Sequence, residues 1–229
     1  MKILLVIIAV LLLALLARYV GDFTSALLRG GRRPTLHSFV DSLADLFMQP
    51  STDLFQYRAS IIYLSTALVA LLCVPPGDLK ASLGFKGDIF LFAAMVAGGD
   101  LALLRKEASL PRRYPAWWLL LAASLVAMVL FSGDYSFSLQ AVALCDKPMA
   151  WILAPALWVA ARLEPRPPRY EGAALGRVEL GVAFRRLAMA MLCTVPLGLG
   201  FISACVVALA VVASLGSSDL IKKQLPLQP

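Results

Sequence analysis

The sequence predicts an all-α polytopic membrane protein, with about six and at most seven transmembrane helices and one amphipathic helix on the membrane surface. Three observations lead there. First, 60% of the 229 residues are hydrophobic and the mean hydropathy is +0.81, more apolar surface than one soluble core of this size can bury. Second, the apolar residues form runs too long for barrel strands. Inside a bilayer each such run must satisfy its own backbone groups, which makes it a helix. Third, the arginines crowd into alternate loops, as the positive-inside rule requires.

The elements follow in order along a single membrane domain, residues 1–229. Residues 2–20 form an apolar run closed by Arg18 and Tyr19. Lys2 at its start and Leu15-Leu16-Ala17 near its end also fit a secretory signal. The run is long for a signal, and the chain after it is itself membrane-embedded, so a retained first span is expected. Gly30, Gly31, Arg32, Arg33 and Pro34 then make a basic turn that cannot lie in hydrocarbon. Over residues 35–47, Leu36, Phe39, Val40, Leu43, Leu46 and Phe47 recur at helical spacing, with Ser38, Asp41, Ser42 and Asp45 largely on the opposite face. An amphipathic helix between two spans lies along the membrane surface; an ordinary loop helix carries the same pattern.

The second span is expected over residues 58–74, stopped by Pro75-Pro76-Gly77-Asp78. The third covers 88–104 and carries Gly98, Gly99 and Asp100 in its last third. The fourth covers 115–131, with Trp117 and Trp118 as an aromatic belt at the interface. The fifth covers 138–163 and is interrupted by Cys145-Asp146-Lys147-Pro148, compatible with a short re-entrant piece followed by a span from Met149. A loop from Glu164 to Glu179 follows, and the last run, 184–215, is expected as one tilted helix kinked at Pro196.

Basic residues set the orientation. Arg29, Arg32, Arg33 and Arg58 flank the loop after the first span, Arg105, Lys106, Arg112 and Arg113 follow the third, and Arg162, Arg166, Arg169, Arg177, Arg185 and Arg186 follow the fifth. With six spans these loops share the cytoplasmic side and both termini lie outside. Lys222 and Lys223 in the tail argue against that, and splitting the 184–215 run would bring the tail to the arginine side.

The net charge of +7 is explained by these loops rather than by nucleic acid. Cys73, Cys145, Cys193 and Cys205 are scattered through apolar segments with no C-x-x-C pair, so neither a zinc nor an iron–sulfur site is encoded. No Ser–His–Asp set, H-E-x-x-H or nucleophile elbow is present, and a single histidine with no phosphate-binding loop argues against an ATPase or a His-ligated haem. The chemistry-bearing candidates are the ionisable groups near or inside the membrane: Asp88, Asp100, Glu107, Asp146, Glu164, Glu171, Glu179, Arg58, Arg185 and Arg186. Most of the arginines are expected to snorkel to the interface. Asp100 is either an interfacial acid or faces a polar cavity. Glu164, Glu171 and Glu179, in one loop with several arginines, form either a docking surface or a plain solvated loop.

Two stretches together carry a resemblance. Gly31-Arg32-Arg33-Pro34-Thr35-Leu36-His37-Ser38-Phe39-Val40-Asp41, after the first span, resembles the G-x-R-x-G-P-x-x-L-Q-P-x-x-D-x-x-K-L signature of respiratory complex I subunit 1 and its relatives in energy-converting (group 4) nickel–iron hydrogenases and formate hydrogenlyase. Arg169-Tyr170-Glu171-Gly172-Ala173-Ala174-Leu175-Gly176-Arg177-Val178-Glu179-Leu180 resembles the same family's E-Y-S-G-x-x-L-A-x-x-E segment, and Gly87-Asp88 resembles the start of its third span. The departures are His37 and Ser38 in place of glutamine and proline, and Glu164-Pro165-Arg166-Pro167-Pro168 in place of the acidic stretch that lines the family's quinone-like cavity. The chain is also shorter than a typical member.

The resemblance implies a non-catalytic membrane-anchor subunit of a multi-subunit, ion-translocating oxidoreductase, energy-converting-hydrogenase-like. It implies hydrophilic iron–sulfur and large subunits docked on Arg32, Arg33, Asp41, Arg166, Arg169 and Arg177, and antiporter-like membrane subunits alongside. Any coupling or ion path would use Asp100, Glu164, Glu171 and Glu179. No cofactor is expected in this chain; iron–sulfur clusters and a nickel–iron centre would belong to the partners. A small stand-alone transporter and a structural or assembly protein are the alternatives.

Overall fold

In the computed structural model, residues 2–28, 35, 44, 53–74, 88–104, 114–132, 147–164, 170, 172–199 and 201–224 are described. They form seven helices and, among the described residues, no strand: α1 (Lys2–Leu28), α2 (Leu54–Cys73), α3 (Ile89–Leu104), α4 (Tyr114–Phe131), α5 (Lys147–Leu163), α6 (Gly172–Thr194) and α7 (Phe201–Gln224). The surface helix expected over 35–47 and the interrupted start of the fifth span, 138–146, lie outside the described residues.

Local chemistry explains several of the ends. The Asp53 carboxylate caps α2, accepting from the Phe55 N–H at 2.8 Å and the Gln56 N–H at 3.4 Å, so the helix begins before Arg58. Asp88 does the same for α3, accepting from Phe90 at 2.6 Å and Leu91 at 3.4 Å. Asp88 is therefore the cap of α3. α1 runs well past Val20 to Leu28.

The run 184–215 departs from expectation: it is two helices, not one. Pro196 has no N–H to give the Leu192 carbonyl and disfavours helical backbone at Val195. Three short turn bonds close α6, from Val195 to Leu192 at 3.2 Å, Leu197 to Thr194 at 3.2 Å and Gly198 to Val195 at 3.1 Å. Gly198, at φ 59, reverses the chain where a side chain would be strained. The polar loop expected from Glu164 to Glu179 is also shorter, because α6 begins at Gly172 and takes in Arg177 and Glu179.

α6 is the hub, packed against α1, α2, α5 and α7, while α2 also packs on α3 and α4 on α5. Its sequence suits that place: Ala173, Ala174, Gly176, Gly181, Ala183, Ala188 and Ala190 are buried small residues that let neighbouring backbones approach closely. The tightest approach surrounds Tyr63 of α2, which is buried. A methyl group added at Gly181 would lie 2.7 and 2.8 Å from the Tyr63 ring, and one added at Gly99 of α3 would lie 2.7 Å from Thr66 Oγ1 and 3.2 Å from the same ring. Gly99 is thus a packing residue.

By length and composition α2 and α4 can each cross a membrane, and Ile89–Leu104, Pro148–Leu163 and Ile202–Leu215 are apolar but shorter. Large apolar side chains face outward, among them Phe90, Leu101, Leu119, Trp151 and Ile202. Such a surface suits hydrocarbon or a neighbouring chain rather than water.

Candidate functional site

The packing brings one ionic cluster together from four helices. Asp100 lies one turn before the end of α3. Tyr114 opens α4, Glu164 directly follows α5, and Arg185 sits mid-way along α6. The Arg185 guanidinium forks onto Asp100: Nη1 pairs with Oδ1, and Nη2 donates to Oδ2 at 3.1 Å. The Tyr114 hydroxyl donates to the same Oδ2 at 3.1 Å. On the other side, Arg185 Nε is ion-paired with Glu164 Oε1 at 2.5 Å. Two rings complete the enclosure, with the guanidinium carbon 5.0 Å from the Trp117 centroid and 6.0 Å from that of Tyr63.

The cluster is dry. The Arg185, Asp100 and Glu164 side chains are 3%, 6% and 11% exposed. In a low-dielectric interior the charges are held by each other and by hydrogen bonds rather than by water. A site of this kind fixes which helices meet and in what register, and removing one partner exposes the others to the full cost of burial.

Arg185 corrects the sequence reading. Its side chain does not reach out to the surface of the chain; it is the buried centre of the site. Of the four residues expected on a coupling path, Asp100 and Glu164 meet on Arg185, so Asp100 is a buried, ion-paired acid. Glu179 lies elsewhere, roughly 9 Å along α6, ion-paired with Arg18 of α1 and 41% exposed. Asp22, one turn on, lies 3.9 Å from Arg18 Nε. Glu171, Glu107 and Asp146 are outside the described residues, as are the docking candidates Arg32, Arg33, Asp41, Arg166 and Arg169. Arg177 is described: its guanidinium lies 4.2 Å over the Tyr57 ring of α2. Tyr63 and Tyr114 were not foreseen, and Trp117 was read only as a belt residue. Aromatic residues in apolar runs carry no mark of the charge they will face.

Among the described residues no group of three or more His, Cys, Asp or Glu side chains is placed to hold a metal. In the Arg18–Glu179 pair the carboxylate is 41% exposed and the guanidinium 15%, so Glu179→Gln should shift stability by less than about 1 kcal/mol and Arg18→Gln by more, read as the midpoint of thermal unfolding in detergent.

No protein-family model matches the chain, and no curated protein matches it in sequence. Its fold is similar to that of a chain in a solved archaeal structure, the membrane-bound sulfane sulfur reductase, a respiratory membrane complex. The TM-score is 0.66 at 13% identity, covering 100% of this chain and 90% of that one. At that identity the likeness is one of fold.

Proposed function

We propose that this chain is a membrane subunit of a multi-subunit, complex I-related oxidoreductase, anchoring a hydrophilic iron–sulfur arm to the membrane and linking it to antiporter-like subunits. The observation that carries this reading is the fold likeness over the whole chain to a chain of a respiratory membrane complex. The family resemblance of the two sequence stretches supports it independently. On this reading the redox centres reside in the partner subunits, as in an energy-converting hydrogenase, and the chain sits in a prokaryotic inner membrane with its arginine-rich loops cytoplasmic.

The helix count bears on topology. If all seven helices cross, the division at Pro196 brings Lys222 and Lys223 to the arginine-rich side, and the discord with the positive-inside rule disappears. A cysteine introduced in the tail, residues 225–229, should then be labelled from the cytoplasmic side only; labelling from outside would return the count to six.

Coupling is assigned to Asp100, Glu164, Glu171 and Glu179, with Arg185 as the internal counter-ion of the first two. Glu171→Gln combined with Glu179→Gln should lower ion transport per turnover in an intact complex. Unchanged transport in that variant would remove both residues from the path.

The deciding experiment is gentle detergent extraction of the tagged full chain, followed by mass spectrometry of everything that co-purifies. Iron–sulfur proteins and antiporter-like membrane chains are expected. A chain that comes out alone or as a homo-oligomer would overturn the proposal in favour of a stand-alone transporter.

A further inference from the structure

Among the described helices, Pro155 of α5 is the one proline that lies beyond a first turn. Proline has no N–H, so the bond that would run from residue 155 back to the Trp151 carbonyl is missing. Turning the Ala154 N–H onto that carbonyl would only free the carbonyl of Ala150 instead. α5 contains no Ser, Thr, Asn or Gln to supply a donor from within.

The gap opens outward. α5 packs on α4, α6 and α7, and its Leu153, Leu157 and Ala160 belong to the main core. Trp151, Pro155 and Val159 follow one another at four-residue spacing on the opposite side, with Ile152 beside them. All four are exposed, Trp151 by 73% and Ile152 by 62%. The freed carbonyl lies between Trp151 and Pro155, on that face. Its depth follows from the helix itself. α5 has 17 residues, at the short end of what crosses a bilayer, with Lys147 at one end and Arg162 near the other. Pro155 is eight residues from each end, about 12 Å. Where α5 crosses the membrane, the gap therefore falls near the middle of the hydrocarbon.

We propose that the outer face of α5, formed by Trp151, Ile152, Pro155 and Val159, seats a transmembrane helix of a neighbouring membrane subunit, and that this helix donates a side-chain hydroxyl or amide hydrogen bond to the Trp151 carbonyl. This rests on the membrane-subunit function proposed above and adds which face meets the neighbour. A backbone carbonyl bare in hydrocarbon is costly, and where a span carries a proline the freed group is satisfied by a neighbouring helix. Lipid cannot do this: acyl chains have no donor, and headgroups lie about 15 Å away. A second copy of this chain is a poor occupant. A two-fold contact through this face would set α5 against α5, which has no hydroxyl or amide side chain to offer. Its Trp151 ring leans back toward the start of the helix, whereas the carbonyl points toward the end. The outward faces of α3 and α4, with Phe90, Leu101 and Leu119, carry no such gap and suit lipid tails.

The test is made in cells expressing the tagged full chain and on the complex extracted from them in mild detergent. A photo-crosslinking amino acid in place of Ile152, activated in the intact membrane, should join the chain to a different membrane protein, identified by mass spectrometry. Pro155→Ala returns an N–H to the Trp151 carbonyl and so takes away the partner's acceptor. The variant should unfold thermally no lower than the wild type, while its retention of that membrane protein under rising detergent falls about three- to thirtyfold, the worth of one interhelical hydrogen bond. A proline that only shapes α5 would move the thermal midpoint and leave retention unchanged, which overturns the proposal. If Pro155→Ala does not fold, the crosslink decides. Crosslinks to lipid alone, or to a second copy of the chain, also overturn it, and co-purifying subunits then leave the membrane-subunit function standing. A wild-type chain that comes out alone defeats that function, and the seat on α5 with it.

Discussion

Arg185→Met is expected to destabilise the chain by about 3–5 kcal/mol, the cost of leaving buried charge without its partner. The substitution keeps most of the volume and removes the one cation between Asp100 and Glu164. Both carboxylates are buried and lose their shared ion-pair partner together, and the Trp117 and Tyr63 rings lose the cation they face. The double variant Arg185→Met with Asp100→Leu should recover part of the loss, since an apolar replacement of a buried pair is often tolerated. Asp100→Asn alone should cost less, because the amide oxygen still accepts from Tyr114 and Arg185. Thermal unfolding in detergent reads all three. A midpoint for Arg185→Met no lower than that of Glu179→Gln would mean that the cluster holds nothing together.

Gly181→Val should be the second large loss. Its branched side chain begins at a Cβ 2.7 Å from the Tyr63 ring and 3.5 Å from the Leu64 Cα. The ring has little room to retreat, because Gly99 of α3 flanks its other edge, where an added methyl would lie 3.2 Å from Cδ2. α2 and α6 must therefore separate, at a cost of about 1–3 kcal/mol for overpacking, and the Tyr63 ring is drawn away from Arg185. Gly181→Ala should act in the same direction and less strongly. A smaller residue at position 63 should relieve the clash, so Gly181→Ala with Tyr63→Leu should be less destabilised than the sum of the two single changes, with a coupling of about 0.5–3 kcal/mol. Strict additivity would show that the ring and the glycine do not in fact compete for the same space.

Much of the element list was legible from the sequence, and for identifiable reasons. The ends of the second and third apolar runs are written in side chains that act locally: Pro75-Pro76 stops one, Asp88 caps the next. Pro196 was read as a kink and became a break. Gly198 two residues later supplies the backbone freedom that turns a bend into a reversal, and its effect depends on a φ that only the structure gives. Arg177 and Glu179 looked like loop residues because charge density dominates that stretch, whereas the alanines and glycines around them pack against α2 and hold the segment helical.

Composition, hydropathy and arginine placement by themselves determined the helical class, the apolar segments and the choice of Asp100 and Glu164 as groups worth watching, because these are properties of single residues and their near neighbours. Only the tertiary structure decided that Asp100, Tyr114, Glu164 and Arg185 form one site, that Glu179 belongs to another, and that Tyr63 is wedged between two glycines. The physical reason is separation along the chain. Asp100 and Arg185 stand 85 residues apart, and no periodicity links them. Their meeting is set by how closely the small faces of α6 let α2 and its neighbour α3 approach.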